Sequence, residues 1–136
     1  MRMRSTVGPL ILAAALLAPA SPASAASFVA KLKAPTHHPK AGKHWTITVS
    51  ARTRSGHKLH ATAVYKFLYQ GQVVSTQYPS PHHPGARHSP YRFYGSYRDP
   101  IPWPARAVGQ PLVFRVVVSV RGRGTRTLNY AVRVRR

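Results

Sequence analysis

The side chains of this chain best suited to chemistry are eight histidines and one carboxylate, Asp99. There is no Glu and no Cys. Glycoside hydrolysis by a carboxylate pair is therefore excluded, and so is an EF-hand, which needs several acids. A cysteine nucleophile is excluded as well. A Ser-His-Asp arrangement would have to use Asp99 as its orienting acid, and no G-x-S-x-G elbow lies near it. No motif supports a Ser-Lys pair. The composition points to a protein that is not an enzyme and uses no cofactor.

The histidines offer a different chemistry. His37-His38 and His82-His83 are adjacent pairs in loop-forming sequence, with His88 close to the second pair and His57 and His60 following Gly56. Imidazoles alone can hold Zn, Cu or Ni. Three of them converging from different loops would make a site. Yet neighbouring side chains on an extended chain point to opposite sides, and no H-x-H or H-x-x-x-H spacing occurs. A His-based metal binder is thus one alternative, with no ligand set assigned. Asp99 itself lies in Tyr97-Arg98-Asp99-Pro100, and Asp before Pro favours a turn. Its expected role is to start that turn, accepting a local N–H or pairing with a neighbouring Arg.

The basic residues carry the main functional expectation. Against one Asp stand 21 Lys and Arg, for a net charge of +20. Arg outnumbers Lys by 15 to 6, which suits bidentate contacts to phosphate or carboxylate. Arg52, Arg54 and Lys58 form one cluster, Arg121, Arg123 and Arg126 a second, and Arg133, Arg135 and Arg136 close the chain. The first six are the candidate anion-binding residues. Their expected partners are anionic cell-envelope polymers or lipid headgroups. A second alternative is a protein–protein module anchored by the aromatic residues Tyr91, Phe93, Tyr94, Tyr97 and Trp103. Nucleic acid is not expected as a natural ligand. Binding to it in vitro follows from charge alone and falls with salt.

The basic n-region Met1-Arg2-Met3-Arg4, the apolar stretch Val7 to Ala18 and the small-residue site Ala23-Ser24-Ala25 form a secretory signal peptide over 1–25. Cleavage after Ala26 also fits. The apolar stretch is too short to span a bilayer, which takes about 20 residues. Arg2 and Arg4 leave with the signal, so 19 basic residues face one Asp and the mature charge is +18. Residues 26–136 then form one domain, secreted and retained at the cell surface by charge. With no Cys, neither a disulfide nor a lipid anchor on Cys is available.

The elements that must position these residues are strands. Trp45, Ile47, Val49 and Ala51 alternate with Thr46, Thr48, Ser50 and Arg52, the period of a half-buried strand. Ala61, Ala63, Tyr65, Phe67 and Tyr69 make a second apolar file, and Gly71-Gln72 turns into Val73 to Tyr78. Leu112, Phe114, Val116, Val118 and Val120 face one way. After Gly122-Arg123-Gly124, the file Leu128, Tyr130, Val132 and Val134 returns. Phe28 to Lys33 and Tyr91 to Tyr97 complete about seven strands. Two proline-rich stretches, PSPHHPGARHSP and PIPWPARAVGQP, read as long loops. The pattern predicts an all-β, antiparallel sandwich, with a small barrel as the alternative.

Pro39-Lys40-Ala41-Gly42-Lys43-His44-Trp45 resembles the turn that leads into the second strand of bacterial immunoglobulin-like or fibronectin III-like domains. Gly109-Gln110-Pro111-Leu112 resembles the start of their late strand, and Thr127 to Val134 their last. The chain lacks the Cys pair of antibody domains. The resemblance implies an immunoglobulin-like β-sandwich that serves as a binding, spacing or adhesion module, without catalytic residues to carry over.

Overall fold

The computed structural model describes residues 26–81 and 88–136. The expected signal segment and the His82-His83 pair lie outside the described residues. Eight strands follow in order: β1 (Val29–Lys33), β2 (His44–Arg52), β3 (His60–Tyr69), β4 (Gln72–Gln77), β5 (Tyr91–Tyr94), β6 (Ser96–Pro102), β7 (Pro111–Val120) and β8 (Gly124–Arg133). One sheet has the order β1-β2-β6. The other has the order β4-β3-β7-β8, with β5 also paired to β3. Every strand pair is antiparallel. This is the expected all-β sandwich, and its core is where the period-two files meet.

Trp45, Ile47, Val49 and Ala51 of β2 are buried, as are Ala61, Ala63, Tyr65 and Phe67 of β3 and Phe114, Val116, Val118 and Val120 of β7. The aromatic rings pack edge to face at the centre. Trp45 and Phe114 lie 5.5 Å apart, Tyr65 and Phe114 4.9 Å, and Phe67 and Trp103 5.5 Å. Such geometry adds to area burial by aligning ring edges with ring faces.

Three expectations need correction. Tyr91 to Tyr97 is not one strand. It bends at Gly95, whose φ of 76° lies in the left-handed region. The chain leaves the β3 sheet there and joins the β2 sheet, a corner made by a strand that changes layers. Gly95 N–H donates to Leu59 O at 2.9 Å, and Gly95 O accepts from Ala51 N–H at 2.8 Å, so one residue ties β2 to the residue just before β3. Nor is the stretch from Pro100 a loop from its start: β6 runs through Pro102. β6 is an edge strand, and prolines two apart there remove only N–H groups that face away from the sheet.

β6 therefore has an inward file of its own. Tyr97, Asp99 and Ile101 are buried, while Ser96, Arg98, Pro100 and Pro102 are exposed. Trp103 continues the file just beyond the strand. Asp99 is thus no turn former. It pairs with Ile47 in mid-strand and is 6% exposed.

The edge of β3 that faces away from β7 is shared by two strands. β5 pairs with its first half, from His60 to Ala63, and β4 with its second half, from Tyr65 to Tyr69. β5 buries Phe93, and Phe93 and Tyr97 pack at 4.8 Å to close the sandwich. β4 buries nothing: Val73 and Val74 are 48% and 58% exposed. A bulge between Phe67 and Leu68 interrupts the β3–β4 register, and bulges bend and twist the paired strands.

Candidate functional site

The antiparallel registers bring the two expected basic clusters to one end of the sandwich. Thr62 of β3 lies opposite Ser119 of β7, so the start of β3 and the end of β7 share an end. The β2–β3 connection carries Arg52, Arg54 and Lys58, and Arg52 bridges to Lys58 across it. The β7–β8 turn carries Arg121 and Arg123. Glycines at 122 and 124, with φ of 76° and 94°, make that turn.

The six basic residues do not play one role. Arg126 Nε donates to Phe28 O at 3.1 Å, and its NH2 group donates to Ala26 O at 3.0 Å. Arg123 donates from NH1 to Ser27 O at 3.1 Å, and its own carbonyl accepts from Ser27 N–H at 2.9 Å. These two arginines pin the start of the domain to the last hairpin. Arg52 donates to Gly56 O at 3.2 Å and braces its own loop. Lys58 lies 5.9 Å from the Tyr94 ring centroid, a cation–π contact at an exposed site. Arg54 and Arg121 are exposed and make no hydrogen bond or ion pair among the described residues. With Arg92 of β5, also exposed and without such a bond, they are free cations of this end among the described residues.

The aromatic surface is not assembled. Tyr97 and Trp103 are core residues, Phe93 is buried and Tyr91 is half-buried. Only Tyr94, 56% exposed, presents a ring to solvent, and His60 packs against it at 4.5 Å. The proposed anchors Tyr97 and Trp103 were apolar enough for an interface but alternate inward with β6.

The histidines are dispersed. His37 stacks on Tyr130 at 4.0 Å, and its Nδ1–H donates to Ala131 O at 2.6 Å. His38 donates its backbone N–H to Thr36 Oγ1. Among the described residues no group of three His, Cys, Asp or Glu side chains is placed to hold a metal ion. No helix among them is long and apolar enough to cross a membrane.

A feature absent from the sequence reading lies at the other end. A cavity of about 870 Å³ opens between β4 and β6. Tyr65, Phe67 and Tyr69 of β3 line it, with Val74 of β4, Tyr78 after it, and Asp99 and Ile101 of β6. Trp103, Arg106 and Gln110 complete the wall near the single 3₁₀ turn Ala105–Ala107. Asp99 Oδ2 accepts from Tyr65 Oη at 2.8 Å, and Tyr65 Oη accepts from Tyr97 Oη at 3.0 Å. The hydroxyl dipoles form a chain that ends on the carboxylate. Burial nevertheless raises the Asp99 pKa above the ordinary value, and the Tyr65 bond only partly opposes it. Tyr65 is pushed well above the usual phenol range, first by burial and then by Tyr97 and Asp99; Tyr97 is raised by burial, which its hydrogen bond to Tyr65 only partly opposes. Trp45 Nε1 donates to Thr36 O at 2.9 Å, but the buried Nε1–H of Trp103 has no acceptor among the described residues.

The signal for this cavity in the sequence is an absence. From Phe67 to Ala86 the chain has no Lys, Arg, Asp or Glu, although basic residues are dense elsewhere. Comparison of the chain with models of known protein families and with curated proteins gives no match.

Proposed function

We propose that this chain is a secreted, non-enzymatic binding module of immunoglobulin-like or fibronectin III-like type. It is held at the cell envelope by attraction to anionic polymers or lipid headgroups. One observation carries the reading: the only acidic side chain is inside the sandwich. The exterior therefore bears Lys and Arg with no acidic side chain to neutralise them. A field of one sign over the whole surface steers anions from a distance and holds them by many weak contacts. Arg54 and Arg121, free of protein partners at the same end, are the contacts that cost the fold nothing to divert. The strand order and the position of Gly42 ahead of β2 support the sandwich type.

The test is co-sedimentation with phosphatidylglycerol vesicles, phosphatidylcholine vesicles and an insoluble polyphosphate. Binding is expected to the first and third and to fall steeply with salt, because released counterions and screening both oppose it. A variant with Arg52, Arg54, Lys58 and Arg121 changed to Gln should lose more binding than one with Arg133, Arg135 and Arg136 so changed. Retention that persists unchanged above roughly 0.5 M salt, where the Debye length is about 4 Å, contradicts an electrostatic mode.

A further inference from the structure

The edges of the two sheets differ in how they are guarded. An edge strand presents unpaired N–H and C=O groups that another strand can join, and proteins block this with charge, proline or bulges. β1 carries Lys31 and Lys33 at exposed positions, β8 carries Arg126 and Arg133, β5 carries Arg92, and β6 carries Arg98 with Pro100 and Pro102. β4, with the sequence Gln72-Val73-Val74-Ser75-Thr76-Gln77, has neither charge nor proline. No described strand pairs with the side of β4 that faces away from β3. All its residues but Ser75 are exposed, and Val73 and Val74 are two of the three large apolar side chains exposed among the described residues. In a chain with 21 Lys and Arg, an uncharged run from Phe67 to Ala86 is a local departure, and β4 lies inside it.

Charge selects the occupant of this edge. An acidic partner would bind better to an edge that bore lysines. A partner as basic as this chain gains most from their absence, because like charges placed opposite each other across a strand pair are destabilising. A second copy of the chain is such a partner. When β4 pairs with its own copy, a neutral residue meets a neutral residue in every register. Val73, Val74 and Thr76 are β-branched and suit a pleated surface. The bulk of the charge also stays apart. β4 has Gln72 opposite Tyr69 and Gln77 opposite Tyr65, so it runs toward the basic end. A two-fold axis across the strands makes the two β4 copies antiparallel, and their basic ends then point in opposite directions. The bulge and the six-residue length hold the edge to one short pairing.

We infer that β4 is a self-association edge: two copies pair their β4 strands antiparallel, and the five-stranded sheet of one continues into that of the other. Each copy offers one such edge, so the pairing closes at two. The inference is independent of the anion-binding reading, and salt separates them. Screening should strengthen the pairing of two cationic chains, whereas it weakens adsorption to anions.

Sedimentation equilibrium of the mature chain, residues 26–136, tests this from about 1 to 300 µM at low salt and at roughly 0.5 M NaCl. The mass should rise toward twice that of the monomer, and the dissociation constant should fall when salt is added. Val73→Lys puts a cation on the edge and should weaken the dimer at least about fivefold, while Thr127→Lys, at an exposed position of β8, adds the same charge and should leave it within about twofold. Hydrogen exchange of the wild-type chain locates the interface without any variant. Amides from Gln72 to Gln77 should gain protection as concentration rises, and those of β1, β6 and β8 should not. A chain that stays monomeric at every concentration and both salts overturns the inference. So does a dimer that Val73→Lys leaves intact, one that salt weakens, or protection that arises at another edge. Protection of β4 by poly-glutamate in a chain that stays monomeric would assign the edge to an acidic partner and overturn it equally.

Discussion

The two halves of one sandwich edge are built to opposite plans. Between β3 and β6 at the basic end, β5 fills the gap, Phe93 is buried and Gly95 bonds to β2 and to Leu59 just before β3. Arg52, Arg123 and Arg126 there hydrogen-bond within the fold. At the far end β4 runs along the same edge of β3, buries nothing, and leaves a cavity lined by a buried acid, with the indole N–H of Trp103 unpaired among the described residues. The closed half is where the edge gains its stability. The open half gives up packing and polar satisfaction at the same edge, and a protein of this size without disulfides has little stability to spare. The difference separates two kinds of surface: an end studded with cations, and a cavity whose wall strand β4 is uncharged.

The sharpest way to break this contrast is to truncate matching positions. Phe93→Ala in the closed half should cost about 3–5 kcal/mol, as a buried aromatic that leaves a cavity. Val74→Ala, on an exposed strand of the open half, should change stability by under about 0.5 kcal/mol. Urea denaturation with unchanged slope measures both. Equal losses would mean that β4 seals the edge as β5 does. The basic end can be divided in the same way. Arg126→Ala removes two charge-assisted bonds to carbonyls and should cost about 2 kcal/mol, whereas Arg54→Ala should leave the melting temperature unchanged. A large loss from Arg54→Ala would make it a structural residue and remove it from the proposed anion-binding surface.

Much of this architecture was legible in the sequence, for a physical reason. In β2, β3, β7 and β8 the apolar files are long and strictly alternating, and burial on one face enforces register. The convergence of Arg54 and Arg121 was not legible, because it depends on which strands pair. β6 was masked by its prolines. The rule that excludes Pro from strands applies to central ones, and β6 is at an edge. Once that is allowed, Tyr97, Asp99, Ile101 and Trp103 are plainly a period-two file. The Asp-Pro turn preference at Asp99 is a local tendency that the pairing of β6 with β2 overrides. The cavity left only the uncharged run from Phe67 to Ala86, a pattern that signals avoidance of charge without saying what is avoided.

Asp99 gives the finest measure of the difference between the halves, and its sign is unusual. A carboxylate that gains a cationic partner on folding has its pKa lowered and stabilises the fold above that pKa. Asp99 gains burial instead, and its pKa is raised from the ordinary 3.8. The folded state then holds the proton more tightly than the unfolded one. Its contribution is most favourable below the ordinary value and is lost as pH rises from there through the folded-state pKa. At neutral pH the ionised form is a liability that only Tyr65 Oη offsets. Asp99→Asn keeps an oxygen to accept that bond and removes the charge. The variant should therefore gain stability relative to wild type as pH rises from 3 to 7. The comparison is made as a difference at each pH, so that the titration of every group common to both proteins cancels. Thermal denaturation of both proteins across that range reads it directly. A difference that is flat with pH, or that favours wild type at neutral pH, would mean that the carboxylate has found a partner of its own in the open half, and the contrast between a satisfied end and an unsatisfied one would fall with it.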